Sequence, residues 1–212
     1  MFHYDFIYKK MYAHYGPQRW WPADTAFEMM VGAILVQNTS WRNVEKALEN
    51  VAPYLYPKRM RSLKEAQLAQ LIRPSGFYNI KAKRLKAFLH WFRDHQFDVC
   101  SLKGKSREDL RKELLGIKGV GQETADVMLL YGFDKPVFVV DAYARRIFYR
   151  LGYDMPGSYD PFRIEVEGDL SQDLLFWKEF HALLVEHAKQ HCKAKPICDG
   201  CPLREHCMQR MG

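Results

Sequence analysis

Four cysteines, one aspartate and a glycine-bounded turn are the parts of this chain whose types and spacing could do chemistry. The cysteines run Cys192-x5-Cys198-x2-Cys201-x5-Cys207. Four thiolates in so short a stretch can wrap a cubane iron–sulfur cluster or a tetrahedral zinc ion. Zinc sites more often use two separated Cys-x2-Cys knuckles, and only one such pair occurs here. His187, His191 and His206 lie close by and keep a mixed Cys/His zinc site open. In an intracellular chain, crowding of this kind argues for a metal centre over disulfides. Cys100 stands apart and reads as a small loop or core residue. Lys193, Lys195, Arg204 and Arg210 surround the cluster, either as a basic loop over phosphates or as an ordinary solvated surface.

The turn is Gly116-Ile117-Lys118-Gly119-Val120-Gly121. Gly119 and Gly121 flank one apolar residue, tolerate positive φ, and let the backbone approach another molecule. Gln122-Glu123-Thr124-Ala125 then opens a helix whose first N–H groups favour an anion. A nucleic-acid phosphate suits that geometry, with Lys118 adding charge; a plain αα-hairpin that reverses the chain is the simpler reading. Asp141 follows Gly121 by 20 residues, after an apolar run and before a helix. Aspartate there is a favoured N-cap. A carboxylate so held can also stabilise developing positive charge or activate water.

The elements that must position these groups all read as helices. Residues 27–36 are apolar nearly all round and belong at the centre of a core. Val44, Ala47, Leu48 and Val51 form one face, and Leu85, Phe88, Leu89 and Phe92 another. Ser62-Leu63-Lys64-Glu65 has the pattern of a capping box, with Pro74-Ser75-Gly76 as the stop signal. Ser106 to Asp109 caps a short helix leading into the turn. Val137 to Val140 has strand propensity without a partner, so extended buried chain is expected. Ala144, Ile147, Phe148 and Leu151 form a stripe closed by Gly152, and 153–161 is the linker candidate. A helix through Phe176, Phe180, Leu183, Leu184 and His187 delivers the chain to the cysteines. Lys81, Lys83, Arg84 and Lys86 make a basic run on a helix, by default a solvated face. The fold class is all-α.

The 212 residues allow one large domain or two small ones, and the formal net charge of +7 suits an anionic partner. The N-terminal residues lack a signal pattern and no stretch suits a membrane span, so a cytoplasmic protein is expected.

Hairpin, acidic residue and cysteine cluster, in this order, resemble the endonuclease III superfamily of helix–hairpin–helix DNA glycosylases over nearly the whole chain. The resemblance implies two helical lobes with damaged double-stranded DNA held between them. Residues 25–135 would be a six-helix barrel ending in the hairpin, and 1–24 plus 136–212 the second lobe. It also implies a monomer, nucleoid-associated in a prokaryote. Asp141 takes the position of the catalytic aspartate; Cys192, Cys198, Cys201 and Cys207 take those of the [4Fe–4S] ligands, with a first spacer of five residues where six is usual. Ile117, Lys118, Gly119, Val120, Gly121 and Thr124 fall on the DNA-gripping hairpin, and the run around Lys81 on an area that approaches DNA. Bifunctional members carry a lysine two residues after the hairpin's last glycine. Glu123 stands there, and a carboxylate cannot form a Schiff base, so strand cleavage should be lost or weak.

Trp20-Trp21-Pro22, Gln37-Asn38-Thr39-Ser40-Trp41 and Arg73 to Asn79 are similar to the 3-methyladenine glycosylase branch. That similarity implies a base pocket of Trp20, Trp21, Pro22, Gln37, Asn38, Trp41 and Glu123. Trp21 and Trp41 would sandwich the flipped base, with ~0.5–2 kcal/mol of cation–π attraction for a cationic alkylpurine. The expected activity is monofunctional removal of alkylated purines. The alternatives are a glycosylase for oxidised or mismatched bases, or a non-catalytic DNA-binding module. Mismatch enzymes usually carry a further C-terminal domain, and this chain ends five residues after Cys207.

Overall fold

The computed structural model describes residues 3–20, 23–170 and 173–211. Twelve α-helices occur among them: α1 (Tyr4–Tyr15), α2 (Ala26–Leu35), α3 (Trp41–Val51), α4 (Pro57–Ser62), α5 (Glu65–Leu71) and α6 (Tyr78–Asp94), then α7 (Val99–Lys103), α8 (Arg107–Leu115), α9 (Gln122–Val127), α10 (Ala142–Leu151), α11 (Tyr159–Asp169) and α12 (Leu174–Gln190). No strand occurs among the described residues. The chain divides into two compact units, one of Met1–Trp21 with Pro136–Gly212 and one of Pro22–Lys135.

In the continuous unit, α2 is the central element, with Phe27 and every residue from Met29 to Leu35 buried. Thr25 caps it by accepting from Glu28 N at 3.1 Å. Phe27 stacks over Phe88 and Phe92 of α6, with ring centroids 6.4 and 6.1 Å away. α9 runs on into a π-helical turn, Met128–Gly132. A Cβ at Gly132 would sit 2.6 Å from Met29 Cε, the movable end of that side chain, and 3.2 Å from Met30 Cγ, so this turn packs closely on α2.

In the discontinuous unit, Tyr4, Phe138, Phe148, Phe162, Trp177 and Phe180 form an aromatic core, each 4 % exposed or less. Its polar atoms are paired. Tyr4 Oη donates to Glu165 Oε1 at 2.7 Å, and burial together with that carboxylate pushes the phenol up. Glu167 accepts from Phe138 N and from Arg163 Nη1. Val137 to Val140 run as buried, irregular chain.

Three local expectations change. The capping pattern at Ser62 is not the start of α5: α4 ends on Ser62, whose Oγ donates to Arg59 O at 2.8 Å. The N-cap is Lys64, whose N–H donates to Gln67 Oε1 at 2.9 Å, because proline-started α4 takes up the preceding residues. The 153–161 segment lies inside one unit, and its last residues already form the first turn of α11, where Pro161 is tolerated. Cys100 is exposed within α7.

Candidate functional site

The hairpin joins α8 to α9. Arg111 on α8 makes a fork of bonds to Asp126 on α9, Nε to Oδ1 at 2.6 Å and Nη2 to Oδ2 at 3.2 Å. Asp126 is fully buried, and the paired geometry fixes the two helices against each other. Ile117 and Val120 point into the unit at 6 % exposure each, while Lys118 and Gly121 are exposed. Gly119 needs its freedom, with φ +92. Gly121 does not: its φ of −90 is available to any residue, a correction to the expectation for that glycine. Nor does packing within the unit require a glycine there, since an added Cβ would meet nothing within 4 Å.

Gln37 lies beneath this turn. Its Nε2 donates to Gly119 O at 3.1 Å and to Thr124 Oγ1 at 2.9 Å, and its Oε1 accepts from Arg84 Nη1. The Arg84 stem lies against Gly119, where a Cβ would come within 2.2 Å of Arg84 Cγ. Gln37 and Thr124 are thus brought together, with both side chains engaged in holding the turn.

The basic run on α6 is not simply a solvated face. Lys83 is exposed, but Lys81 is 1 % exposed and its Nζ donates to Leu35 O at 2.7 Å and Ser75 O at 2.6 Å. It thereby ties the end of α2 to the turn before α6. Lys86 Nζ likewise donates to Arg61 O at 2.7 Å and to Leu63 O, closing the end of α4. Burial, then Arg84, brings the Lys81 ammonium down to about 8. The folded protein therefore releases this proton near pH 8, whereas an unfolded chain keeps it to about pH 10.4. Between those values the unfolded state binds more protons, so this group's contribution to stability rises with pH. Calorimetric melts of wild type and Lys81→Met at pH 7.5 and 9.5 are expected to show the wild type gaining on the variant at the higher pH.

Asn38 is exposed at φ +55, and the Trp41 ring rests on α2, 3.3 Å from where a Gly32 Cβ would be. Glu123 is exposed in the first turn of α9. Trp21 and Pro22 lie outside the described residues.

In the other unit, Asp141 caps α10: Oδ1 accepts from Ala144 N at 2.7 Å. The residue is 8 % exposed. Its second oxygen, Oδ2, is 3.6 Å from Nε2 of His181 on α12. Trp20 meets that imidazole edge-on, with ring centroids 5.5 Å apart. Trp20 and Asp141 are thus brought to one place, with His181 between them. Sequence reasoning passed over His181, because a single histidine among the apolar residues Phe180, Leu183 and Leu184 has no signature of its own. Lys189 Nζ lies 6.0 Å over the Trp20 ring.

All four C-terminal cysteines line one cavity of about 100 Å³ with Arg150, His187, Ile147 and Leu203. None of the four is joined in a disulfide. Arg150 Nη1 lies 3.3 Å from Cys192 Sγ, and Gln209 N donates to Cys207 Sγ at 3.4 Å. His187 Nδ1 faces Tyr15 Oη at 2.9 Å, and its Nε2 lies 4.0 Å from Cys201 Sγ. Burial, with His191 and His14 adding, drives His187 down to about 3 and holds it neutral. The Tyr15 hydroxyl can then donate to Nδ1 and leave the N–H on Nε2, aimed at sulfur. Burial and the neighbouring thiols push Cys201 and Cys207 up. As a thiol, Cys207 also donates to Arg150 O at 3.1 Å. A group of concentrated positive charge would reverse that proton preference, and N–H donors already face three of the sulfurs. By its chemistry the donor set suits a thiolate-bound metal centre, while no group of three or more such side chains among the described residues is gathered closely enough to hold a metal ion. His191 Nδ1 is engaged with Ile197 O at 2.9 Å, and His206 packs edge-on against Phe6. Of the surrounding cations, Lys193 and Lys195 are exposed, Arg204 faces Asp199 at 3.7 Å, and Arg210 is bonded to Asp154 at 2.9 Å.

No described helix is long and apolar enough to cross a membrane. The family model for HhH-GPD superfamily base excision DNA repair proteins matches residues 31–166. The chain is 46 % identical over 209 residues to a Methanocaldococcus jannaschii protein described provisionally as a DNA repair glycosylase, covering 96 % of this chain and 95 % of that one. It is 31 % identical over 183 residues to endonuclease III of Thermotoga maritima, covering 85 % and 82 % of the two chains. Among solved structures, the 3-methyladenine DNA glycosylase of H. pylori bound to 1,N6-ethenoadenine has a TM-score of 0.77 at 31 % identity, covering 89 % of this chain and 98 % of that one.

Proposed function

The chain belongs to the HhH-GPD superfamily of base excision DNA repair proteins, and from that premise we propose that it is a monofunctional DNA glycosylase for alkylated purines such as 3-methyladenine. The observation that carries this reading is Asp141, whose carboxylate is fixed through Oδ1 to the Ala144 N–H while Oδ2 faces His181 Nε2 at 3.6 Å.

The reaction follows from those groups. An N3- or N7-alkylated purine carries positive charge and leaves with the electron pair of the N-glycosidic bond as a neutral base. The deoxyribose C1′ is left with cationic character, which the Asp141 carboxylate stabilises. A water oxygen bonds to C1′, and its proton passes to that carboxylate. Little acid assistance is needed at the base, since the leaving group is already charged. Hairpin residues 117–121 and Thr124 grip the DNA backbone, and Trp20 and Trp41 are the described aromatic candidates for contact with an extruded base.

The solved H. pylori relative, named for 3-methyladenine and crystallised with an ethenoadenine, supports the alkylpurine substrate class. Glu123 supports the monofunctional part, because it offers no amine to attack the opened sugar. Cys192, Cys198, Cys201 and Cys207 would hold a [4Fe–4S] cluster. When bound, that cluster would staple the C-terminal loop, with a structural and DNA-positioning role more than a redox one.

The test is base release from N-methylated duplex DNA, with free base and strand scission scored separately. The expected result is free 3-methyladenine with intact strands until the abasic sites are cleaved chemically. Scission in step with base release would overturn the monofunctional reading. No release from methylated DNA, with release from oxidised or mismatched duplexes, would overturn the substrate class.

A further inference from the structure

An imidazole buried on the apolar side of a helix needs a polar reason to be there. His181 is 4 % exposed, flanked on α12 by Phe180, Leu183 and Leu184, all fully buried. Burying its ring nitrogens without a partner would be costly. The group that Nε2 faces is Oδ2 of Asp141, at 3.6 Å. A carboxylate only accepts, so the hydrogen belongs on Nε2. The separation exceeds a hydrogen bond, and catalytic contacts are often long before the substrate is bound.

The two oxygens of Asp141 have different partners. Oδ1 is held by the helix at 2.7 Å from Ala144 N whatever happens at position 181. Oδ2 has the imidazole beside it, and the imidazole has the Trp20 edge against it. We propose that His181 is a positioning residue for base excision: its Nε2–H holds Oδ2 of Asp141 in the orientation that stabilises the sugar cation and receives the water proton, while Trp20 holds the imidazole in place. The proposal rests on Asp141 acting as the catalytic carboxylate. It assigns to α12 a part in the chemistry beyond packing, and it makes Trp20 a support for the carboxylate as well as a candidate base contact.

Because Oδ1 caps α10 independently, removing the imidazole leaves that cap intact. His181→Phe keeps ring bulk and loses the donor, whereas His181→Gln keeps an N–H at similar reach. The experiment measures single-turnover base release from the wild type's preferred lesion duplex, together with affinity for that duplex and melting temperature. His181→Phe is expected to slow release ~10–100-fold, the range for loss of a bond to a charged group, with affinity and melting temperature unchanged. His181→Gln is expected to recover most of the rate. Should the phenylalanine variant not fold, His181→Met serves as the donor-free comparison. A donor-free variant as fast as wild type would overturn the proposal, as would glutamine and donor-free variants that are equally slow. A wild type that releases no base from any lesion would overturn the glycosylase reading and this proposal together.

Discussion

Asp141→Asn is expected to lower single-turnover base release by ~10²–10⁴-fold while the protein still folds and still binds damaged duplex. Asparagine and aspartate are comparable N-caps, so the Ala144 N–H keeps its acceptor and the stability cost should stay below ~1 kcal/mol. What disappears is the negative charge on Oδ2, the oxygen that faces His181. A neutral amide cannot offset charge developing at C1′, and it is a far weaker acceptor for the water proton. Affinity for DNA should hold or increase, because a charge that repels phosphate has gone. Retained binding with lost release identifies an enzyme. Base release close to the wild-type rate would mean that Asp141 is only a helix cap, and the mechanism would need another carboxylate.

How far the sequence foretold these groups depended on the range of the interactions involved. The α2 core helix, the α10 stripe with its left-handed Gly152 and the Ser106 cap on α8 all appear, because each is written within about one helical turn. Ser62 shows the limit of that reasoning. Its capping pattern is valid in isolation, but proline-started α4 consumes the serine and the cap moves to Lys64. Lys81 shows a different limit. A lysine in a basic run reads as solvated, and only packing reveals that it bonds the carbonyl end of α2, 46 residues away.

The hairpin was visible from its glycines, but the device that holds it was not. Gln37 reaches Gly119 across 82 positions and Arg84 reaches Gln37 across 47. No periodicity links residues so far apart, and a glutamine beside an asparagine suggests a ligand contact as readily as a scaffold. His181 was hidden for the same reason, since its partner lies on another helix. The cysteines are the contrary case: their separation is so short that the loop itself brings them to one cavity.

That cavity carries the other large expected effect. Cys201→Ala should remove or sharply reduce visible absorption at about 400 nm, the region expected for an iron–sulfur chromophore, and lower the melting temperature. The size of the effect follows from what the loop lacks without its centre. After α12 the described chain has no regular element beyond the short Arg204–His206 turn, and its buried groups include Cys192 and Leu203. A loop of that kind has little apolar area to hold it, so a centre bonded to four side chains would supply most of its order. Losing one such bond belongs with the substitutions that cost ~4 kcal/mol or more. The measurement is an absorption spectrum and metal analysis of anaerobically purified wild type and variant, followed by thermal melts of both. Iron and sulfide with visible absorption in the wild type, lost in Cys201→Ala, is the expected outcome. Stoichiometric zinc with a colourless wild type would replace the iron–sulfur assignment with a zinc site, and unchanged melts would deny the cysteines a structural role.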